Sequence, residues 1–352
     1  MLQNLQILRA IAALFVVVHH FLLANRDFGQ AGGLASFYQL SELGACGVDL
    51  FFCISGFVMI SSITKKAEFS APDFAIGRTT RIYPAYWVAS TIFILLVALN
   101  HVKKSGLGGT LTEALFSPGF LLSSYLLVPA YNPESGYLQP FLAQGWTLSY
   151  ELYFYALLMV AAFVAKANPL RTAVLGSLLL VAGIVIFKDS DYAGGIFVSN
   201  TIVLEFMLGM LVFLLAKRTR QLGWLALVLG FTLIAFTVFF KVDNRVLYWG
   251  VPSALVLYGF VALEGAWTPQ QFLKSLGDAS YSLYLTHGAL TYVYGGLLKR
   301  GWYPSIAKQN LAVIAGTMLA IVIAFLFYRF VEKPLVKWFH QKRTRPHAVT
   351  AV

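Results

Sequence analysis

Long apolar stretches, separated by short polar or basic links, recur from the first residues of the chain to near its end. A helix rising about 1.5 Å per residue needs roughly twenty such residues to cross a bilayer. The pattern predicts ten membrane helices: Leu5–Ala24, Gly44–Ile63, Ile82–Asn100, Thr147–Ala165, Thr172–Phe187, Ile196–Ala216, Leu222–Phe240, Leu247–Leu263, Ser282–Leu298 and Leu311–Val331. The link from His101 to Trp146 is long. Its apolar piece Phe116–Leu127 is interrupted by Pro118, Gly119, Ser123 and Ser124, which predicts a re-entrant or interfacial segment. Residues 1–335 thus read as one polytopic membrane domain and 336–352 as a basic tail.

Composition sharpens this into an all-α integral membrane protein. Hydrophobic residues make up 59% of the chain and charged ones 12%, which excludes an ordinary soluble domain. An even number of spans puts both termini on one side. That side receives Lys65, Lys66, Arg78, Arg81, Lys166, Arg171, Lys217, Arg218, Arg220 and Lys274, with Lys333, Lys337, Lys342, Arg343 and Arg345 beyond. The other side holds Arg26, Lys103, Lys104, Lys188, Lys241, Arg245, Lys299, Arg300 and Lys308. The excess predicts cytoplasmic termini. The net charge of +11 is then topological, and no basic, aromatic-interleaved pattern points to nucleic acid. Arg9 inside the first stretch, with no small-residue cleavage site after it, marks a retained span rather than a signal peptide. Cys46 and Cys53 lie seven residues apart on one helix, about 10 Å, too far to bridge. They read as packing residues, and no His or Cys spacing suits a metal.

Polar residues inside the spans carry the candidate chemistry. Arg9 and His20 are eleven residues apart, so helical phase places them about 20° apart on one face and about 16 Å apart along the axis. His19 points elsewhere. A cation and an imidazole on one stripe of a membrane helix are costly to insert and suggest function. The alternative is that Arg9 snorkels to headgroups while His20 bonds a neighbouring helix. Asp49, near the end of the second span, reads either as a site carboxylate or as a cap or ion-pair partner. Arg78 and Arg81 share a face at i,i+3, and Pro84 is expected to end or kink that turn. Their guanidinium groups match phosphate geometry, though headgroup anchoring explains them too. Glu151, one turn inside a span, could orient a catalytic imidazole or pair with a structural arginine. His287 fits a helix–helix hydrogen bond, and Glu205 is a lone acid without an evident partner.

Together these segments resemble acyltransferase family 3, membrane proteins that move acyl groups onto bacterial surface glycans. The resemblance rests on Arg9 and His20 in the first helix, on Gly47-Val48-Asp49-Leu50-Phe51-Phe52-Cys53-Ile54-Ser55-Gly56-Phe57, and on Arg78-Thr79-Thr80-Arg81-Ile82-Tyr83-Pro84. It continues through Trp146-Thr147-Leu148-Ser149-Tyr150-Glu151, the run Leu276-Gly277-Asp278-Ala279-Ser280-Tyr281-Ser282-Leu283-Tyr284-Leu285-Thr286-His287, and Tyr328-Arg329-Phe330-Val331-Glu332-Lys333-Pro334. Thr286 stands where a Trp is common and Leu152 where a second acid is frequent. The resemblance implies a stand-alone O-acetyltransferase of the bacterial inner membrane, without an appended esterase-like domain. It further implies acetyl-CoA as donor co-substrate, no metal, and a hydroxyl of a surface or exopolysaccharide sugar as acceptor. His20 is then the expected catalytic residue, with Glu151 or Asp49 fixing its tautomer. Arg9, Arg78 and Arg81 are expected to hold the acyl-CoA, and Trp146, Ser55 and His287 to face the acceptor. A glycan transporter or flippase is the rival, since buried charges also build substrate paths. Paired broken helices in corresponding halves, its better sign, are not evident. Oligomeric state is left open.

Overall fold

A computed structural model describes residues 2–30, 42–64, 69–216, 221–266, 268 and 270–344. Among these the chain is all helical, apart from a single bridge between Tyr131 and Leu138. Six helices are long and apolar enough to cross a membrane, or seven if a pair bent by 43° counts as one span. They are α1 (Gln3–Phe28), α2 (Cys46–Thr64), α3 (Ala71–Thr112, through Gly106), α5 (Trp146–Val164), α6 (Pro169–Phe187) and α13 (Ile306–Phe327, continuing to Phe339). The bent pair is α7 (Ala193–Ser199) with α8 (Leu204–Ala216). The chain is thus a multi-pass, all-helical membrane protein.

The other three expected spans coincide with helices that are short or less apolar. Gly223–Phe239, containing α9 (Gly223–Phe236), and Val246–Ala262, containing α10 (Val251–Ala262), fall below the length that crosses hydrocarbon unaided. Helix α12 (Ser280–Lys299) is long enough but carries Ser, Tyr and His along its buried side. Short helices α4 (Pro118–Leu126), α11 (Gln271–Asp278) and α14 (Lys333–Thr344) complete the set. The described part of the basic tail is therefore helical. Arg345 and the residues after it, like Lys65, Lys66, Lys217, Arg218 and Arg220, lie outside the described residues.

Helix α1 is the axis of the bundle and packs against α2, α11, α12 and α13. Its first turn has no side-chain cap of its own. Glu264, just past α10, supplies one: its carboxylate accepts from the backbone N–H of Gln3 at 2.8 Å and of Asn4 at 3.0 Å. An anion at a helix N-terminus satisfies orphan donors and opposes the helix dipole. Near the other end the Tyr294 hydroxyl donates to the Asn25 side chain. Helix α1 is thereby tied at both ends to elements far away in sequence.

Helices α2 and α8 meet through Gly56 and Gly209. A Cβ at Gly56 would strike the Phe206 carbonyl, and one at Gly209 the Cys53 carbonyl. Small residues let membrane helices approach this closely. Cys46 and Cys53 are both buried and unbridged, as their spacing implies.

Helix α3 corrects one half of the expectation that Pro84 ends or kinks the turn: the helix does not end there. It runs from Ala71, and its only non-helical residue is Gly106. The arginines Arg78 and Arg81 therefore sit on a continuous helix, not in a loop. Membrane helices tolerate an internal proline because neighbours can satisfy the freed carbonyls. The long link after α3 places α4 against it, and α4's last carbonyls gain donors there. Ser124 O accepts from Tyr86 at 2.7 Å, Tyr125 O from Trp87 at 2.9 Å, and Leu126 O from Tyr83 at 2.9 Å.

Asp49 is fully buried on α2 and is paired. Arg245, just before a π-turn at Val246–Gly250, grips it through Nε at 2.9 Å and Nη2 at 2.7 Å, while Nη2 also reaches Ala45 O at 3.1 Å. The clamp joins α2 to α10. Removing one partner of a buried ion pair leaves an uncompensated charge, typically costing about 3–5 kcal/mol. Arg245→Ala should therefore lower the unfolding midpoint in detergent by several degrees, whereas Arg245→Lys should lose less. A midpoint unchanged in Arg245→Ala would show that the clamp is dispensable.

Candidate active site

Three arginines converge on two adjoining cavities. The inner cavity, about 100 Å³, lies among α1, α2, α3, α5 and α12; Arg9, Ser55, Arg78, Arg81, Glu151 and Tyr284 are among its walls. The wider one, about 630 Å³, opens at the end of the bundle where α1 begins and α14 follows α13. Arg9, Arg78 and Arg81 line both, so they stand between the vestibule and the inner chamber.

Local structure holds each arginine there. Ser70 caps α3 by accepting from Asp73 N–H at 3.3 Å, with Pro72 in the first turn, and the helix then carries Arg78 and Arg81 onto one face. Arg78 lies over the Phe74 ring, 5.5 Å from its centre, and its Nε is buried without a hydrogen-bond partner among the described residues. Arg9 is 8% exposed, and its Nη1 donates to Gln6 Oε1 at 3.4 Å. Gln6 in turn donates to Asp278 at 2.7 Å.

The carboxylates facing these cavities are engaged elsewhere. Glu332, in the π-turn Tyr328–Glu332, accepts from Ser282. Glu151 accepts from Ser55 at 3.2 Å and from the Tyr155 hydroxyl. Among the described residues, none of the three arginines is ion-paired with a carboxylate. Lys333 and Lys337 add two further cations to the vestibule wall, giving five against Asp73, Asp278 and Glu332. Such a wall attracts an anion, and guanidinium groups bind phosphates with charge-assisted, paired hydrogen bonds.

His20 lines neither cavity. It shares α1 with Arg9, about 16 Å further along the axis. Its Nδ1 lies 2.7 Å from Val16 O, one turn back on the same helix. A carbonyl only accepts, so Nδ1 carries the hydrogen and Nε2 keeps its lone pair. The ring centre of His20 is 4.9 Å from that of His287, and His287 lies 5.8 Å from the ring of Tyr284. Because Tyr284 forms part of the inner chamber, these rings connect His20 to it through contact.

The two carboxylates expected to orient His20 do not touch it. Asp49 is bound to Arg245, and Glu151 sits with Ser55 and Tyr155 beside the arginines. The Val16 carbonyl fixes the tautomer instead. The three residues expected on the acceptor side are dispersed. Ser55 lines the inner chamber, His287 is buried against His20, and Trp146 packs edge-on against Phe52 and Tyr150. Sequence reasoning missed Arg245 as the partner of Asp49, having counted it as a loop cation. It also passed over Tyr284, whose hydroxyl donates to Gln144 O at 2.9 Å and meets Thr147 at 2.8 Å.

A family profile described as an acyltransferase domain matches residues 2–329. The chain belongs to acyltransferase family 3. It is similar to the exopolysaccharide production protein ExoZ of Rhizobium meliloti, 30% identical over 320 residues that cover 88% of this chain and 93% of the relative. It is also similar to the acyltransferase MdmB of Streptomyces mycarofaciens, at 26% identity over 97% of this chain and 93% of that one. The peptidoglycan O-acetyltransferase OatA of Listeria monocytogenes is 23% identical over 94% of this chain, which spans 55% of its length. No solved structure matches. The protein is thus a membrane acyltransferase.

Because the arginines have no carboxylate contact among the described residues to lose, replacing one relieves like-charge repulsion. Arg78→Gln and Arg81→Gln should leave the unfolding midpoint within about a degree or raise it, unlike Arg245→Ala, while cutting acyl transfer at least about tenfold. Acyl transfer at the parental rate would reduce them to membrane anchors.

Proposed function

We propose that this acyltransferase transfers an acyl group, acetyl by resemblance, from acyl-CoA to a hydroxyl of an exopolysaccharide or other surface sugar. The observation that carries the donor assignment is the set of three arginines, Arg9 buried and Arg78 and Arg81 half-buried, that line both cavities and have no carboxylate partner among the described residues. The phosphates of CoA supply the missing charge. A pantetheine arm is comparable in length to the rise of about 16 Å from Arg9 to His20, so a donor anchored at the arginines can present its thioester near the imidazole. The named activities of the similar proteins, exopolysaccharide production and peptidoglycan O-acetylation, support a glycan acceptor.

His20 Nε2 is the base in this reading. It takes the proton from the acceptor hydroxyl as the oxygen attacks the thioester carbonyl. The carbon–sulfur bond breaks, and the thiolate leaves as CoA thiol after regaining the proton from His20. In a second version Nε2 attacks the thioester carbonyl and expels the CoA thiolate, and the resulting acyl-imidazole passes its acyl group to the acceptor hydroxyl, whose proton the thiolate takes up. Ten spans, both termini in the cytoplasm and a place in the bacterial inner membrane complete the proposal, with the vestibule opening to cytoplasmic acyl-CoA. The basic residues at that end of the bundle support the orientation.

Membrane vesicles supplied with radiolabelled acetyl-CoA provide the test. The full-length protein should move label into the glycan fraction, and His20→Ala should abolish this while accumulating normally. Arg9→Gln should raise the KM for acetyl-CoA several-fold more than that for the acceptor. Labelling of glycan by His20→Ala at the parental rate would remove His20 from the chemistry, and an unchanged donor KM in Arg9→Gln would remove the arginine from donor binding.

A further inference from the structure

His287 is buried, and its Nε2 has no hydrogen-bond partner among the described residues. Its Nδ1 faces Leu283 O at 3.2 Å, one turn back on α12. His20 has the same arrangement with Val16 O on α1. Two helices thus present imidazoles of the same tautomer, each donating from Nδ1 to its own helix and keeping a lone pair on Nε2. A buried acceptor left unpaired is unfavourable and calls for an explanation. The ring centres are 4.9 Å apart. An edge-to-edge N–H···N bond of about 2.9 Å sets imidazole centres at about that separation.

In the resting pair both Nε2 atoms are acceptors, so no hydrogen bond can join them. Protonation of His20 changes this, because its Nε2 then becomes a donor, the complement of the lone pair on His287 Nε2. We propose that His287 is a positioning residue that accepts a hydrogen bond from protonated His20 and so stabilises the imidazolium formed during acyl transfer. The inference rests on the reading of His20 as the base. The proton leaves the acceptor hydroxyl for His20 Nε2, is shared with His287 Nε2, and returns from His20 to the departing thiolate. No net proton is gained or lost. The titratable groups facing the pair are His19 on α1 and Tyr284 on α12; among the described residues neither ring is ion-paired with a carboxylate.

Two amide substitutions separate this role from packing. The Gln side chain carries an acceptor to about the place of Nε2, whereas Asn stops near Nδ1. Release of CoA thiol from acetyl-CoA is followed in membrane vesicles that retain the cell's own glycan, between about pH 5 and pH 9. His287→Asn should lower kcat at least about tenfold with the KM for acetyl-CoA within about twofold. The acid limb of its kcat/KM profile should move to lower pH, since an imidazolium without its acceptor loses its proton more readily. His287→Gln should keep most of the rate and the parental limb. Equal behaviour of the two variants, at comparable protein levels, would overturn the proposal, as would a change confined to KM. His20→Ala, measured alongside, distinguishes the failures: activity in it removes the base, whereas its inactivity with equal Asn and Gln variants removes only the pairing.

Discussion

Taking a guanidinium out of water without a carboxylate in contact is costly, and around one pair of cavities this chain buries Arg9 and half-buries Arg78 and Arg81, none of them ion-paired among the described residues. The same chain shows the ordinary solution elsewhere. Arg245 meets Asp49 in a two-point grip, and the result joins two helices. At the cavities, carboxylates are close at hand, yet Glu332 is occupied by Ser282 and Glu151 by Ser55 and Tyr155. Positive charge is kept available where space is also left open. A fold that held only itself together would pair these groups or replace them with apolar ones.

The cost is sustainable because the helices that carry the arginines are fixed by other means. Helix α1 is capped by Glu264 at one end and held through Asn25 and Tyr294 at the other. Helix α3 continues through Pro84, with its aromatic side chains bound to the end of α4. On such rigid supports, the distance between Arg9 and His20 is set by helix geometry alone. An anionic ligand that binds at one end therefore has a defined reach toward the other.

That spacing was legible in the sequence because helical phase is local, and α1 is one unbroken helix from Gln3 to Phe28. The free, buried state of Cys46 and Cys53 was legible for the same reason. Partners across the bundle were not. Arg245 is 196 residues from Asp49, and Glu151 is 96 from Ser55. Nothing in the spacing of either carboxylate says which cation or hydroxyl will face it. The proline rule misled in one respect, the expected end of the helix, since a break is relaxed where neighbouring helices satisfy the backbone. The tautomer of His20 was readable in principle: the i−4 carbonyl of its own helix was always within reach, and a distant carboxylate was unnecessary.

The reach from arginines to imidazoles can be measured with two photoreactive forms of the donor. Acyl-CoA with a diazirine in its acyl chain should label α1 near His20 and α12 near His287. An azido group on the adenine of the same donor should instead label the vestibule, on α3 and α14. Both labels should disappear when unmodified acetyl-CoA competes. Labelling of the vestibule by the acyl-chain probe, with none near His20, would contradict a donor that spans the two.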